Sequence, residues 1–253
     1  MKIHNPGTMH IKELRNLWQE AFGDTEEFLD KFFNTAFSTK RSMCITKGKS
    51  VLAALYWFDC LCRNKKVAYI YAVATRKSHR NQGLCAKLME STHALLKEKG
   101  YKFALLVPGS KGLFGMYEKL GYKTCTHTDE FEISSPAEPC DIKKLSKEEY
   151  KILRRQSLFE DDVIQENENL DFLETFTEFY SGDDFLLACH KENNTLIVSE
   201  LLGNKKKAES ITAALMCKKG TFRTKGAKRA FSMIYDFSEG AFKAPAYFGL
   251  AFD

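Results

Sequence analysis

The residues best placed to do chemistry lie between Tyr69 and Lys99. An apolar strand, Tyr69-Ile70-Tyr71-Ala72-Val73-Ala74, runs into a polar stretch from Thr75 to Arg80. Arg80-Asn81-Gln82-Gly83-Leu84-Cys85 follows, and Ala86-Lys87-Leu88-Met89 opens a helix that runs to about Lys99 and stops at Gly100. A strand feeding a glycine-bearing turn at a helix N-terminus aims several backbone N–H groups at one point, and the helix dipole adds partial positive charge there. Such a point favours phosphate. A side chain at position 83 would block a ligand's close approach to the backbone. The plainer reading is an ordinary strand-to-helix turn, with Arg80 and Lys87 as solvated helix-end charges.

The next segments narrow the choice. Tyr101-Lys102-Phe103-Ala104-Leu105-Leu106-Val107 reads as a second strand, bounded by Pro108-Gly109. A short helix follows over Leu113–Leu120, closed by Gly121-Tyr122. Together these segments resemble the GNAT superfamily of N-acetyltransferases. That family's phosphate turn reads Arg/Gln-x-x-Gly-x-Gly/Ala, matched here by Arg80-Asn81-Gln82-Gly83-Leu84-Cys85. Its later aromatic segment is matched by Met116-Tyr117-Glu118-Lys119-Leu120-Gly121-Tyr122. Either motif alone is weak; the two in order, with a helix and a strand between them, are specific. Cys85 is the departure, standing where the family prefers Gly or Ala. It is small and keeps its N–H, so the turn is expected to form.

The resemblance implies acetyl-CoA as co-substrate. The amides of Asn81, Gln82, Gly83, Leu84, Cys85 and Ala86 would hold the diphosphate, with Arg80 and Lys87 near phosphate oxygens. Val73, Ala74 and Thr75 would pair with the pantetheine arm where the sheet splays apart. Tyr117 matches the family tyrosine that gives a proton to the departing thiolate, and a phenol of reference pKa about 10 stays protonated at neutral pH. No acid stands on the strand before the turn. Asp59, Glu130, His127, a water held by the backbone and the chain end Phe252-Asp253 are the candidates for a base, each side chain with an ordinary structural role as the alternative.

The rest of the chain must position these groups. Met9–Phe22 has apolar residues at helical spacing, and a second helix capped by Asp24 or Thr25 carries Glu26 and Glu27 in its first turn. By the resemblance this pair borders the acceptor site, and its carboxylates favour a cationic amine; the alternative is core packing and capping. Ser42–Thr46, Ser50–Cys62 and Val67–Ala74 read as meandering strands, and Thr124–Ser134 as the last strand of the unit. The order predicts an α/β (α+β) fold: a mixed, mostly antiparallel sheet flanked by helices, over residues 1–134. Residues 135–141 read as a linker, since Pro136 and Pro139 prevent regular structure. Residues 142–253 repeat the outline. A capping box at Ser146 starts a helix, Asn169–Tyr180 reads as another, then strands Phe185–His190 and Thr195–Leu202, a helix Ala208–Cys217, and strands Arg229–Phe237 and Ala246–Phe252. The second copy has Gly203 but neither motif, so it reads as a degenerate GNAT-like domain without a coenzyme A site. The layout resembles the tandem enhanced-intracellular-survival acetyltransferases.

The chain has 253 residues, 44% hydrophobic and 28% charged, with net charge +5. That fits a folded protein and argues against disorder. No apolar run nears the roughly 20 residues of a membrane span, and Met1–Pro6 is no signal segment. Eight cysteines without Cys-x-x-Cys spacing read as buried thiols of a cytoplasmic protein, with no metal expected. The expected function is an acetyl-CoA-dependent N-acetyltransferase acting on a small-molecule or peptide amine. A non-catalytic acyl-CoA sensor is the alternative. A nucleic-acid module is the third, on Lys205–Lys207 and the basic run from Lys218 to Arg229, although such a run is more often a solvated face.

Overall fold

The structure, a computed structural model, describes residues 1–135, 137–238 and 240–252. The chain forms two compact units. One comprises Met1–Leu61, Lys65–Lys123 and Met233–Lys243; the other comprises Cys62–Asn64, Thr124–Ser232 and the chain from Ala244 onward.

In chain order, the elements up to Thr124 are β1 (Lys2–His4), α1 (Ile11–Phe22), α2 (Glu26–Thr35), β2 (Ser42–Lys47), β3 (Ser50–Cys62), β4 (Lys65–Thr75), α3 (Leu84–Glu98), β5 (Phe103–Leu106), α4 (Lys111–Lys119) and β6 (Lys123–Thr124). There follow β7 (His127–Ile133), β8 (Lys143–Leu145), α5 (Lys147–Ser157), β9 (Ile164–Gln165), α6 (Glu168–Leu173), β10 (Glu178–Ser181), β11 (Phe185–Glu192), β12 (Thr195–Gly203), α7 (Ala208–Ala214), β13 (Lys219–Lys225), β14 (Arg229–Ala230) and β15 (Met233–Asp236).

The first sheet runs β1-β2-β3-β4-β5-β15-β6. Its parallel pair is β4 with β5, joined by the crossover helix α3. Helix α1 buries Leu14, Leu17 and Trp18, and α2 buries Leu29 and Phe32. Thr25, not Asp24, caps α2: its hydroxyl accepts from the Phe28 N–H at 3.2 Å. A separate apolar cluster joins α3 and α4 to the sheet through Leu84, Leu88, Met89, Tyr117 and Tyr122.

The second sheet runs β14-β7-β13-β12-β11-β10-β8. Its parallel pair is β12 with β13, crossed by α7. The path β8-β10-β11-β12-β13 therefore repeats β1-β2-β3-β4-β5 strand for strand. The capping box at Ser146 is present, with Ser146 and Glu149 bonded reciprocally.

Four expectations change. The Thr124–Ser134 strand divides: β6 edges the first sheet, while β7 pairs antiparallel with β13 in the second. The Arg229–Phe237 strand divides the opposite way: β14 pairs with β7, while β15 lies antiparallel to β5 in the first sheet. Alternation says a strand has an apolar side, not which core receives it. Phe131 of β7 stacks on Phe222 at 5.5 Å, and Met233 of β15 is fully buried in the first unit's cluster. The Asn169–Tyr180 helix stops at Leu173, and Glu178–Ser181 is a strand because its residues pair with both β8 and β11. Ala246–Phe252 is irregular rather than a strand, although Tyr247–Phe252 is buried.

Candidate active site

Strand β4 outlasts its partner. Its ladder to β5 holds at Ala68↔Ala104 and Tyr69↔Leu105, and β5 ends at Leu106. Pro108, which has no N–H to offer, follows two residues later. Beyond Tyr69 the strand turns on Ala72, whose φ of 49° marks a bulge. Val73 and Thr75 come out of it half-buried, with Ala74 buried. This is the stretch named from the sequence, and it lies where β4 has lost its neighbour.

The turn that follows is anchored at its start and open at its end. Arg76 donates through its N–H to the Leu52 carbonyl at 2.8 Å and through Nε to the Val51 carbonyl at 2.7 Å. Its guanidinium also holds Glu20 at 3.0 Å and Glu13 at 2.8 Å, both from α1. Arg80 is exposed and reaches back to the Thr75 carbonyl at 3.2 Å. Asn81 has φ 60° and Gly83 φ 73°. A Cβ on Gly83 would meet nothing of the chain within 4 Å, so it is the left-handed φ that favours glycine here.

From Asn81 through Gln82, Gly83, Leu84 and Cys85 to Ala86, no backbone N–H finds an acceptor among the described residues; the first bond of α3 runs from Lys87 N–H to Gly83 O at 3.1 Å. Asn81, Gln82 and Gly83 are exposed, as are the cations Lys77, Arg80 and Lys87. Free amides, a helix N-terminus and exposed cations all favour an anion at one place. Cys85 is accommodated half-buried, and burial pushes its thiol pKa up, so it stays a neutral small side chain.

Tyr117 lies on the inner side of α4. Gly121, at φ 88°, ends the helix and lets Tyr122 N–H bond back to the Tyr117 carbonyl at 3.1 Å. A Cβ there would stand 2.9 Å from the Tyr235 ring. Tyr117 is 7% exposed, its ring meets Tyr122 edge-on at 5.8 Å, and it packs in one cluster with Leu84, Cys85 and Val73. Burial, with a smaller contribution from the Cys85 thiol, raises the phenol's pKa above its ordinary value. The hydroxyl has no hydrogen-bond partner among the described residues and is not sealed from solvent. It is a protonated donor with its bond unspent.

A family profile, acetyltransferase (GNAT) domain, matches residues 2–125. Over those residues the chain is similar to the GNAT acetyltransferase family. The whole chain folds like a GCN5-related N-acetyltransferase from Kribbella flavida, with TM-score 0.69 and 13% identity over 94% of this chain and 71% of that one. A GCN5-related N-acetyltransferase from Anabaena variabilis gives 0.72 and 14%, over 93% and 72%. Eis1 from Mycobacterium abscessus gives 0.69 and 11%, over 95% and 75%. At these identities the likeness is one of fold. No curated protein matches the chain in sequence.

The first unit brings the strand end, the amide row and Tyr117 together, but the fold disperses the other candidates. Asp24 accepts from the Trp18 indole at 2.7 Å, Glu26 is paired with Arg15, and Glu27 lies 2.9 Å from Lys31. These acids fold the helix pair instead of standing free for a cationic amine. Asp59 holds the Tyr101 hydroxyl. Glu130 and His127 lie on β7 in the second sheet, Glu130 paired with Arg223 and Arg229. Asp253 lies outside the described residues.

Much of the basic run is likewise paired within the chain: Lys205 with Asp129 at 3.6 Å and Lys225 with Asp162 at 3.0 Å. A cleft of about 570 Å³ lies along α3, lined by Met89, His93, Lys119 and Tyr235 among others, but by no residue from Val73 to Cys85. Among the described residues no helix is long and apolar enough to cross a membrane, and no His/Cys/Asp/Glu group could hold a metal. Sequence reading missed Glu13, Glu20 and Arg76, whose pairing spans more than fifty residues, and the bulge at Ala72, for which alanine carries no signal.

Proposed function

We propose that this chain is an acetyl-CoA-dependent N-acetyltransferase that transfers the acetyl group directly to an amine in a ternary complex. The observation that carries the reading is the row of unbonded amides from Asn81 to Ala86 beside the open end of β4. That row fits a diphosphate by charge and by hydrogen-bond count, since its donors have no competing acceptor in the chain. Val73, Ala74 and Thr75 offer main-chain groups to a pantetheine arm as an added strand would. When bound, acetyl-CoA supplies the activated acyl carbon and a thiolate leaving group.

The chain's own part is placement and one proton. A backbone N–H near Val73 or Ala74 would meet the acyl oxygen and stabilise the charge that develops there. Tyr117, kept neutral by burial, gives its hydroxyl proton to the departing sulfur. Asp59, the carboxylate of the first unit weighed as a base, holds the Tyr101 hydroxyl, and no carboxylate base is assigned. The site belongs to the unit of Met1–Leu61, Lys65–Lys123 and Met233–Lys243; the other unit is read as a degenerate GNAT-like copy without a coenzyme A site. The acceptor is a small-molecule or peptide amine, and the setting is cytoplasmic.

Calorimetry with coenzyme A, followed by thiol release from acetyl-CoA across an amine panel, tests the reading. Tyr117→Phe should bind coenzyme A as the wild type does and lose about 100-fold or more in thiol release. Wild-type protein that binds no coenzyme A refutes the function. Undiminished release by the variant removes Tyr117 from it.

A further inference from the structure

The amide row is only as useful as the turn that aims it; Arg76 ties the start of that turn to β3, and one carboxylate of α1 holds the next residue. Glu20, near the end of α1, uses both oxygens. Oε2 takes the Arg76 guanidinium at 3.0 Å, and Oε1 takes the backbone N–H of Lys77 at 2.6 Å. Lys77 begins the single 3-10 turn Lys77–His79, which leads through Arg80 into Asn81 and Gly83. Within that turn one bond is short, His79 N–H to the Arg76 carbonyl at 2.8 Å, and the bonds leading on toward Gly83 are long. The Arg80 N–H reaches the Lys77 carbonyl at 3.4 Å, and the exposed Gln82 side chain reaches the Ser78 carbonyl at 3.4 Å. Glu13 also holds Arg76, at 2.8 Å, but touches nothing in the turn.

We propose that Glu20 is a positioning residue for the cofactor: by holding the Lys77 amide it fixes the direction in which the Asn81–Ala86 amides point. The inference rests on the acetyl-CoA reading above. Two observations support it beyond the single bond. The Lys77 N–H, with Arg76 behind it, holds the Glu20 carboxyl below the usual carboxylate range, so the acceptor stays ionised. In addition, two residues in succession but one, Asn81 and Gly83, adopt left-handed backbone, which a loosened turn would not retain unaided. A ligand's apparent affinity falls in proportion to the fraction of protein already in the competent shape. Releasing the turn so that about a tenth of molecules present the row correctly weakens binding about tenfold.

The test compares three variants of the full chain, Glu20→Ala, Glu20→Gln and Glu13→Ala, by calorimetry with coenzyme A and by thermal melting. Glu20→Ala should weaken binding about tenfold. Glu20→Gln retains an oxygen for the Lys77 amide and should stay within about threefold of the wild type, while Glu13→Ala, which removes an equivalent ion pair, should stay within about twofold. Glu20→Ala and Glu13→Ala should melt alike, which separates aim from stability. Equal binding by Glu20→Ala and Glu13→Ala overturns the proposal, and so does Glu20→Gln binding as weakly as Glu20→Ala. Coenzyme A binding by the wild type with no change in Glu20→Ala leaves the function standing and sinks only this role for Glu20; no binding by the wild type refutes both.

Discussion

His93 offers a stability test that needs no substrate. It sits on α3 ten residues beyond Gly83, 8% exposed, with Nε2 2.8 Å from the Tyr122 hydroxyl. Its ring stacks on Tyr235 at 4.0 Å and lies 5.7 Å from Phe237. Burial without a compensating anion drives its pKa down from the ordinary 6.5 to about 4. The folded value is the lower one, so the unfolded chain takes the proton first. The contribution of His93 is therefore fully present above pH 6.5 and is lost as pH falls toward 4. Linkage with those two values removes about 2 kcal/mol by pH 5 and about 3 kcal/mol by pH 4. His93→Phe keeps a ring against Tyr235 but cannot titrate. At pH 7 it should be less stable than the wild type by about 1–3 kcal/mol, because the Tyr122 hydroxyl loses its partner. By pH 5 that gap should shrink by about 2 kcal/mol. Urea unfolding followed by tryptophan fluorescence reads the right region, since the chain's two tryptophans, Trp18 and Trp57, both belong to the first unit. A gap unchanged between the two pH values, or an imidazole that titrates near 6.5 by NMR, refutes the reasoning.

Gly83→Ala should cost about 1–2 kcal/mol of stability for the left-handed φ alone, with no clash added, and raise the coenzyme A dissociation constant about tenfold, as for one lost charge-assisted hydrogen bond; calorimetry and thermal melting on the same sample measure both. Glu200→Gln in the second unit should destabilise by about 3–5 kcal/mol, because Arg154 is fully buried against it at 2.7 Å and 3.0 Å. Glu200→Leu with Arg154→Met should recover most of that in chemical denaturation.

The site's parts were legible where chemistry and local geometry share a residue. Gly83 signals both a turn and an approachable backbone, and Tyr117 and Gly121 sit at the end of one short helix. The parts that stayed hidden depend on distance along the chain or on cores not yet formed. Arg76 reads as one more basic residue in a polar turn until Glu13 and Glu20 are folded beside it, 63 and 56 residues away. Asp24, Glu26 and Glu27 looked available because their partners Trp18, Arg15 and Lys31 carry no mark of the pairing. Strands β7 and β15 were recognised as strands but assigned to the wrong sheets, since an amphipathic strand fits any edge that covers its apolar side.

The topological repeat turns these differences into a comparison of one fold with itself. Both units place a parallel strand pair around a crossover helix, and both bend the strand that precedes it. In the first, the β4–β5 ladder holds at 68 and 69 and β5 then ends. In the second, the β12–β13 ladder is interrupted between Val198 and Leu201 and then resumes at Leu201↔Thr224. The gap that stays open in one unit is closed in the other. Glu200 fills the interruption, held by Arg154, by the Tyr150 hydroxyl at 2.8 Å and by the Tyr247 hydroxyl at 3.1 Å. A side chain on Gly249 would collide with that carboxylate. The turn after β12 is also spent: the Asn204 side chain accepts the Lys206 N–H at 3.0 Å, and α7 is only seven residues long. A satisfied buried charge where a pantetheine arm would lie is expensive to displace. On the proposed reading, this is why one copy of the fold holds a cofactor and the other serves as its companion.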